Sequence, residues 1–246
     1  MKRNEGFFSG EGFLVIGADD LSDMDLSALV RRHREVGALA SIGLTEVEET
    51  SQFGIVVTDK GGRICRFVEK PKGPPPSRTA NTQIYLLEPG IHSYIPEGQW
   101  YDFGFNVFAE LVAKSEPFFG FALPGYWRDI GSLEDYLDAQ WDVMQGKLSA
   151  RVPGEQREPW LWLGPECEIS HSAEISAPAV IGAHCRIGAG AKIGGATAIA
   201  DGVHVPDGVL LWNCVLWEDA KVGPGEQVRD AVIGASGVIA ARGKGQ

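Results

Sequence analysis

Two carboxylates stand directly behind the first apolar segment of the sequence, at Asp19 and Asp20. The preceding residues, Phe13–Ile16, form an apolar run that is too short for a helix, which predicts a β-strand buried on both faces. A carboxylate at the end of such a strand is available either to a ligand or as the cap of the next helix. The sequence alone leaves both interpretations of Asp19 open, and Asp20 is more typical of a turn or cap.

The cysteines and histidines give no metal-binding pattern. Four cysteines are present without a C-x-x-C spacing, so neither a zinc knuckle nor a thioredoxin-type redox pair is indicated, and we expect free thiols. His171, His184 and His204 match neither the spacing of a metal triad nor the repeat described below. We therefore expect them to be surface residues.

The elements that must position the carboxylates alternate in type from residue 13 to about residue 146. Strand-like segments such as "GIVVTD" and "TQIYLLEP" alternate with helix-like ones, which predicts an α/β layer with a mainly parallel sheet. Asp25 precedes one predicted helix, and Ser132 with Asp135 forms a capping box for another that Gly146 ends. We take residues 1–146 as the first domain and the aperiodic, Pro-containing residues 147–160 as a linker.

The period changes to six in residues 161–246. Two rows of apolar or small residues recur at this interval, which no ordinary helix or strand produces and which is the signature of a parallel β-helix. The register is expected to slip only after Trp217. The first row is Leu163, Ile169, Ile175, Ile181, Ile187, Ile193, Ile199, Val205 and Leu211, and the second is Cys167, Ala173, Ala179, Cys185, Ala191, Thr197, Val203, Val209 and Val215.

Composition limits the partners. A net charge of -11 provides no basic surface for a phosphate backbone, so a nucleic acid is an unexpected partner. No apolar stretch approaches the roughly 18 residues that span a bilayer, and no secretory leader is recognisable. We expect a cytoplasmic protein without a membrane partner.

Several segments together resemble the sugar-1-phosphate nucleotidyltransferases, or nucleotide-sugar pyrophosphorylases, that carry a C-terminal left-handed β-helix. They are "FLVIGADDLSDMDL", "FVEKP", "NTQIYLLEP", "YDFGFNVFAELV" and "GYWRDIGSLEDYLDA", in the family's order and followed by the hexapeptides. The similarity is greatest to the mannose-1-phosphate guanylyltransferase and glucose-1-phosphate thymidylyltransferase branch. It implies a Rossmann-like, here partial, nucleotidyltransferase domain followed by a left-handed parallel β-helix.

The resemblance also implies a site. Asp19 and Asp129 match the family's magnesium ligands, and Mg²⁺ is typically held by one or two carboxylates plus substrate phosphates. Glu69 and Lys70 match the contacts to the sugar and its phosphate, although an exposed ion pair is the plainer interpretation. Asn81 and Thr82 match a segment that meets the sugar. Lys70 and Asp19 are the expected catalytic residues.

Other positions depart from the family pattern. Gln83 stands where a glycine is usual, and Gly17 with Ala18 replaces an Asn-Gly pair. The glycine-rich nucleotide loop, G-x-G-T-R-L followed by Pro-Lys, has no counterpart in the chain, and we expect "MKRNEGFFSGEG" to be a disordered or frayed terminus. We expect a polypeptide that lacks its N-terminal nucleotide-binding part, through a misplaced start or a separate chain, and is weak or inactive alone.

Three functions stay open at this point. The first is a nucleotidyltransferase polypeptide whose substrates are a sugar 1-phosphate and a nucleoside triphosphate, with Mg²⁺ as cofactor. The second is a non-catalytic regulatory or scaffold subunit of such an enzyme. The third, least favoured, is a hexapeptide-repeat acyltransferase using one of the three histidines. In each case the open faces of the β-helix predict a homo-oligomer.

Overall fold

The computed structural model describes residues 6–8 and 10–240, and of Ala240 only the backbone. The predicted α/β layer and hexapeptide solenoid are both present. The chain forms two units, Met1–Trp127 and Arg128–Gln246.

The first unit contains two α-helices and a mixed sheet. In chain order its elements are β1 (Phe13–Ile16), β2 (Asp20–Ser22), α1 (Leu26–Val36), β3 (Ala40–Glu46), β4 (Gly54–Thr58), β5 (Ile64–Glu69), β6 (Thr79–Leu87), a 3₁₀ helix (Pro89–Tyr94), a π-helical turn (Phe103–Val107), α2 (Phe108–Ala113) and β7 (Phe118–Ala122); β8 (Trp127–Asp129) spans the division between the units.

Strand β6 is the centre of the sheet, whose order is β5-β4-β6-β3-β7 with β1 also paired to β6. Only β3 and β7 pair in parallel within this sheet; the other pairs of its described strands are antiparallel. Over the whole described chain parallel pairs predominate, because the solenoid adds many of them. The antiparallel pairing of β4 with β5 follows from the short "DKGG" turn between them, because a parallel pair needs a much longer crossover connection.

The core of this unit lies against the sheet and centres on Phe108, which is fully buried. Its ring lies 5.0 Å from Phe118, 5.1 Å from Tyr85 and 5.3 Å from Phe67 between centroids. Helix α1 begins as expected, since Asp25 accepts a hydrogen bond from the Ala28 amide at 3.0 Å. Phe67 and Tyr85 connect this core to β5 and β6.

Two expectations about the start of the chain are wrong for the residues described. Strand β1 is not buried on both faces: its residues alternate in burial, and Leu14 and Ile16, which share one face, are 41% and 48% exposed. Phe8 is not part of a frayed terminus, since its ring packs 4.6 Å from that of Phe13. The same expectation for residues 1–5 and 9 lies outside the described residues.

The second unit is a β-solenoid with one helix. Its elements are α3 (Leu133–Met144), β9 (Glu155–Glu158), β10 (Leu161–Leu163), β11 (Glu168–Ile169), β12 (Glu174–Ile175), β13 (Ala179–Ile181), β14 (Arg186–Ile187), β15 (Lys192–Gly194), β16 (Thr197–Ile199), β17 (His204–Val205), β18 (Leu210–Leu216), β19 (Gln227–Gly234) and β20 (Gly237–Ala240).

The six-residue rows form the inside of the solenoid. Ile187 pairs with Val205 and Ile193 with Leu211 on adjacent coils, and all four belong to one buried cluster. The coil repeat is 18 residues, seen where the Ala183 amide donates to Asp201 Oδ1 at 2.7 Å. All four cysteines are free thiols, as predicted.

The register changes earlier than the rows predict. At Cys214 the distance between counterparts on adjacent coils is 17 residues and no longer 18. The Cys214 amide donates to Oγ1 of Thr197, 17 residues earlier, at 3.2 Å, and Ala198 pairs with Val215. Cys214 and Leu216 therefore point into the solenoid core, and Val215 packs with Leu137 of α3. The prediction that Val215 continues the second six-residue row was wrong, because the coil before it is one residue shorter and this reverses which side chains face inward.

Helix α3 packs on the solenoid through Leu137 and Met144. Its start is the predicted one, with the Asp135 amide donating to Ser132 Oγ at 3.1 Å. The segment read as an aperiodic linker contains β9, which pairs antiparallel with β10. The domain limits at residues 146 and 160 stay predictions, since a division into packed units is not a division into domains.

Candidate functional site

Four of the predicted site residues lie on two strands of the first unit. Glu69 ends β5 and Lys70 follows it, while Asn81 and Thr82 lie in β6. Strand β4 pairs with both β5 and β6, which brings these two strands to the same region of the sheet. The tertiary pairing thus collects residues that are separated in sequence.

The Glu69 carboxylate is half-buried in a space that two glycines leave open. A Cβ added at Gly54 would lie 2.7 Å from Glu69 Oε2, and one at Gly104 would also clash with that carboxylate. Burial raises the pKa of Glu69, the negative charge of Asp102 raises it further, and Lys70 opposes both. Glu69 is therefore a positioned carboxyl group that gains a proton more readily than an exposed one.

Lys70 does not form the exposed ion pair with Glu69 that was the plainer interpretation of this segment. Within the described residues no carboxylate lies within 4.0 Å of its ammonium, so Glu69 and Lys70 are not an ion pair. Its backbone amide donates to the Phe53 carbonyl at 3.1 Å. The backbone φ angle of Lys70 is 44°, in the left-handed region. An exposed ammonium held by a constrained backbone is available to an anion.

Asn81 is buried and structurally engaged. Its Nδ2 donates to the Tyr85 hydroxyl at 3.0 Å, and its Oδ1 accepts from the Gln83 amide at 2.9 Å. Gln83 has a φ of 58°, a conformation that favours glycine, which gives a physical reason for the glycine expected there. Asn81 shapes this strand whether or not it also contacts a ligand.

Thr82 points away from solvent. Its hydroxyl donates to the Gly43 carbonyl at 2.8 Å, and the side chain is fully buried. Its carbonyl accepts from Trp127 Nε1 at 3.0 Å. The predicted ligand role of Thr82 stays untested, and the hydroxyl as placed here serves the core.

Tyr85 and Asp102 are residues of this region that sequence reasoning missed. Burial raises the pKa of the Tyr85 phenol above its usual range, the Asn81 bond opposes this, and the charges of Glu69, Asp102 and Asp20 add to it. Asp102 also caps the π-helical turn, accepting from the Phe105 amide at 2.8 Å. The signal for Tyr85 was its place four residues after Asn81, on the same face of one strand.

Asp19 lies in an exposed turn that follows β1. The turn is tied to β6, since the Gly17 amide donates to the Gln83 carbonyl at 3.1 Å and the Asp20 amide to Gly17 at 3.4 Å. A side chain at Gly17 would clash with the Asp20 carboxylate, so this departure from the family pattern has a steric reason. Asp129 belongs to the second unit, at the end of β8.

The chemistry of the Asp19 carboxylate is compatible with magnesium. In the described part of the chain, no three His, Cys, Asp or Glu side chains are grouped so as to hold a metal ion. Mg²⁺ does not require such a group, because it commonly takes one or two carboxylates and completes its shell with water and phosphate. An exposed carboxylate such as Asp19 has the hard oxygen atoms that this ion prefers.

The three histidines of the solenoid are exposed, as predicted. His184 Nδ1 lies 3.4 Å from Glu166 Oε2. His204 is the parallel-strand partner of Arg186, which lies on the preceding coil. They are spread along the solenoid surface and form no cluster.

Among the described helices none is long and apolar enough to cross a membrane.

Comparison with known proteins shows related sequences. The nucleotidyl transferase family matches residues 2–146. A UTP–glucose-1-phosphate uridylyltransferase from Synechocystis is 39% identical over 165 residues, 64% of this chain and 42% of the relative. A glucose-1-phosphate adenylyltransferase from Desulfitobacterium hafniense is 32% identical over 56% of this chain and 37% of the relative.

A third relative is a probable mannose-1-phosphate guanylyltransferase from Arabidopsis thaliana, 38% identical over 52% of this chain and 35% of its own length. The chain thus spans less than half the length of the curated relatives it matches. These relatives differ in the base and sugar that their names give, so they indicate a shared chemistry more than one substrate. With the family match extending over more than half of its residues, the chain belongs to the nucleotidyl transferase family.

Proposed function

We propose that this chain binds a sugar 1-phosphate and supplies the sugar-phosphate half of a nucleotide-sugar synthesis. The observation that carries the proposal is the pair at the end of β5. Glu69 is half-buried between two glycines, and the neighbouring Lys70 ammonium is exposed with no carboxylate partner among the described residues. The names of the relatives support a sugar 1-phosphate as the ligand.

The reaction we propose is a phosphoryl transfer. An oxygen of the sugar phosphate attacks the α-phosphorus of a nucleoside triphosphate, the new P–O bond forms, and pyrophosphate leaves. Lys70 holds the attacking phosphate by its charge, and Glu69 accepts hydrogen bonds from hydroxyl groups of the sugar and so fixes its orientation. Asn81 holds the strand that lies beside them. Such a reaction depends on position and electrostatics more than on covalent steps.

Asp19 and Asp129 are the residues we propose to hold Mg²⁺. When bound, the ion neutralises charge on the phosphate oxygens. No nucleotide-binding glycine-rich loop of the family type occurs in the 246 residues. We therefore propose that turnover requires a nucleotide-binding part outside these residues, and that this chain by itself binds its sugar phosphate but turns over weakly. We also propose a cytoplasmic location and a homo-oligomer.

The test of the binding step is isothermal titration of glucose 1-phosphate and mannose 1-phosphate into the full chain. Lys70→Ala is expected to weaken binding by about tenfold or more, as a lost charge-assisted hydrogen bond does. The matched control is Lys72→Ala, an exposed lysine two residues further along, which should bind like the parent. Equal binding by all three proteins would contradict the proposal.

The test of catalysis adds the missing part. Nucleotide-sugar formation is measured with Mg²⁺ for the chain alone and with a family nucleotide-binding half supplied. Product in the second case supports the enzyme proposal. If sugar phosphate binds but no product forms with folded protein, the regulatory or scaffold subunit is the better description, and a catalytic partner should co-purify.

A further inference from the structure

The solenoid carries a groove that the proposed reaction does not use. It has a volume of about 670 Å³ and lies across four successive strands of one face, β12, β15, β18 and β19. Its lining combines apolar residues such as Ile193 and Leu211 with polar side chains of both charges. The polar and aromatic residues that matter are Glu174, Ser176, Lys192, Trp212 and Arg229.

Trp212 forms a fixed aromatic surface in this groove. It pairs with Gly194 on the preceding coil, and its ring lies against Gly194 and Gly195. A Cβ at Gly195 would lie 2.6 Å from the indole, and one at Gly194 would lie 3.0 Å from it. The two glycines therefore make room for the ring, which nevertheless leaves 46% of the residue exposed.

Arg229 supplies an available cation beside this ring. Arg229 is the parallel-strand partner of Trp212 on the next coil. Its guanidinium carbon lies 5.9 Å from the centre of the indole. Within the part of the chain that the structure describes, no carboxylate lies within ion-pair distance of Arg229. A planar guanidinium stacked near an aromatic ring and free of a counter-ion is well suited to a phosphate.

Lys192 supplies a second cation. Its ammonium lies 3.0 Å from Glu174, and both side chains are more than half exposed. Exposed ion pairs of this kind contribute little stability, so Lys192 can exchange Glu174 for another anion at small cost. The charged side chains of the lining are therefore two cations and one carboxylate, in a protein whose net charge is -11.

From these observations we propose that the groove binds a small molecule that carries a phosphate monoester on a ring. The ring lies against Trp212, and the phosphate is held by Arg229 and Lys192. Nucleoside monophosphates and hexose phosphates both have this chemistry. The groove shares no residue with the proposed reaction, whose residues are Asp19, Glu69, Lys70, Asn81 and Asp129.

The experiment is titration calorimetry of the full chain with adenosine 5′-monophosphate, with glucose 6-phosphate and with inorganic phosphate. At least one of the two ring phosphates should bind more tightly than inorganic phosphate, and which one does so distinguishes the two sources. Trp212→Ala and Arg229→Gln should each weaken that binding by about tenfold or more. Lys70→Ala should leave it unchanged.

Matched controls separate the groove from the general surface. Trp217→Ala removes another tryptophan about half exposed, and Arg186→Gln removes another exposed arginine of the solenoid. Both should bind like the parent. The proposal is overturned if neither ring phosphate binds at millimolar concentration, if inorganic phosphate binds as tightly, or if the controls lose as much as the groove variants.

A second measurement addresses occupation of the groove by another copy of the chain. Sedimentation velocity of the parent and of Trp212→Ala should give the same oligomeric state. If the substitution alone dissociates an oligomer, the groove is a contact between copies, and the ligand proposal is wrong.

Discussion

The solenoid and the α/β unit place their side chains by different means. In the solenoid each residue stacks on its counterpart one coil away, so that Ile175, Ile193 and Leu211 form one column. In the α/β unit the candidate site depends on β6, which pairs with β1, β3 and β4 although these strands lie at widely different distances before it in sequence. A local repeat therefore specifies the first arrangement, and long-range pairing specifies the second.

The comparison explains where functional residues can lie. Solvent-exposed outward positions of the solenoid are less constrained by the fold, because the inward rows form its core. In the α/β unit the site residues are also structural: Asn81 holds Tyr85 and Gln83, and Thr82 holds Gly43. Substitutions there should affect fold and ligand together.

The largest expected effect is in the aromatic core of the α/β unit. Phe108→Ala should lower the free energy of unfolding by about 3–5 kcal/mol, because it removes a fully buried ring and leaves a cavity. Urea denaturation measures this. Phe105→Ala, at a residue 58% exposed, should change the free energy by about 0.5 kcal/mol or less. Similar losses in both variants would contradict the assignment of this core.

The corresponding change in the solenoid should be smaller and more local. Ile193→Ala is expected to cost about 2–4 kcal/mol. Hydrogen exchange should increase mainly in the strands holding Ile175 and Leu211, because coils contact only their neighbours. Ile239→Ala, at a residue 52% exposed, is the matched control and should leave exchange in those strands unchanged. Exchange that rises evenly over the unit would refute local stacking.

A third substitution tests how closely the coils approach. Gly188→Ala would place a Cβ 2.6 Å from the Asp207 amide nitrogen on the next coil, so we expect a loss of about 1–3 kcal/mol in the free energy of unfolding. Gly223→Ala is the control, since its Cβ would meet only the flexible Glu226 side chain at 3.4 Å. Thermal melts of the two variants should separate them clearly. A tolerated Gly188→Ala would mean that the coils adjust.

The smallest expected effect concerns the charge of Glu69. Because its pKa is raised in the folded state above 4.5, the folded protein binds the proton more tightly, and stability falls as pH rises through the folded-state pKa. Glu69→Gln should remove this loss. Urea denaturation should therefore give a free energy of unfolding that changes in favour of the variant, compared with the parent, when the pH is raised from 4 to 8.

Glu48→Gln provides the matched control, because Glu48 is an exposed carboxylate of the same unit. It should not reproduce the pH-dependent gain. A Glu69→Gln variant whose stability follows the same pH profile as the parent would show that the carboxylate is less buried than described.

Much of the fold was predictable because its signals are local. Asp25 and Ser132 cap their helices as their sequence positions indicate, and the six-residue rows predict the solenoid core. The strand at Glu155–Glu158 was missed, since its charged sequence has no period and it forms only by pairing with β10. The inner place of Cys214 was also missed, because a deletion within one coil is visible only from the neighbouring coils.

The candidate site divides in the same way. The sequence by itself determined the residue types and their family, through segments such as "FVEKP" and "YDFG" that keep their order along the chain. Only the tertiary structure decided that Glu69, Asp102 and Asp20 act on the buried Tyr85, and that Lys70 is free of Glu69. The physical reason is that burial and charge interactions depend on which strands pair, and these pairings join residues far apart in sequence.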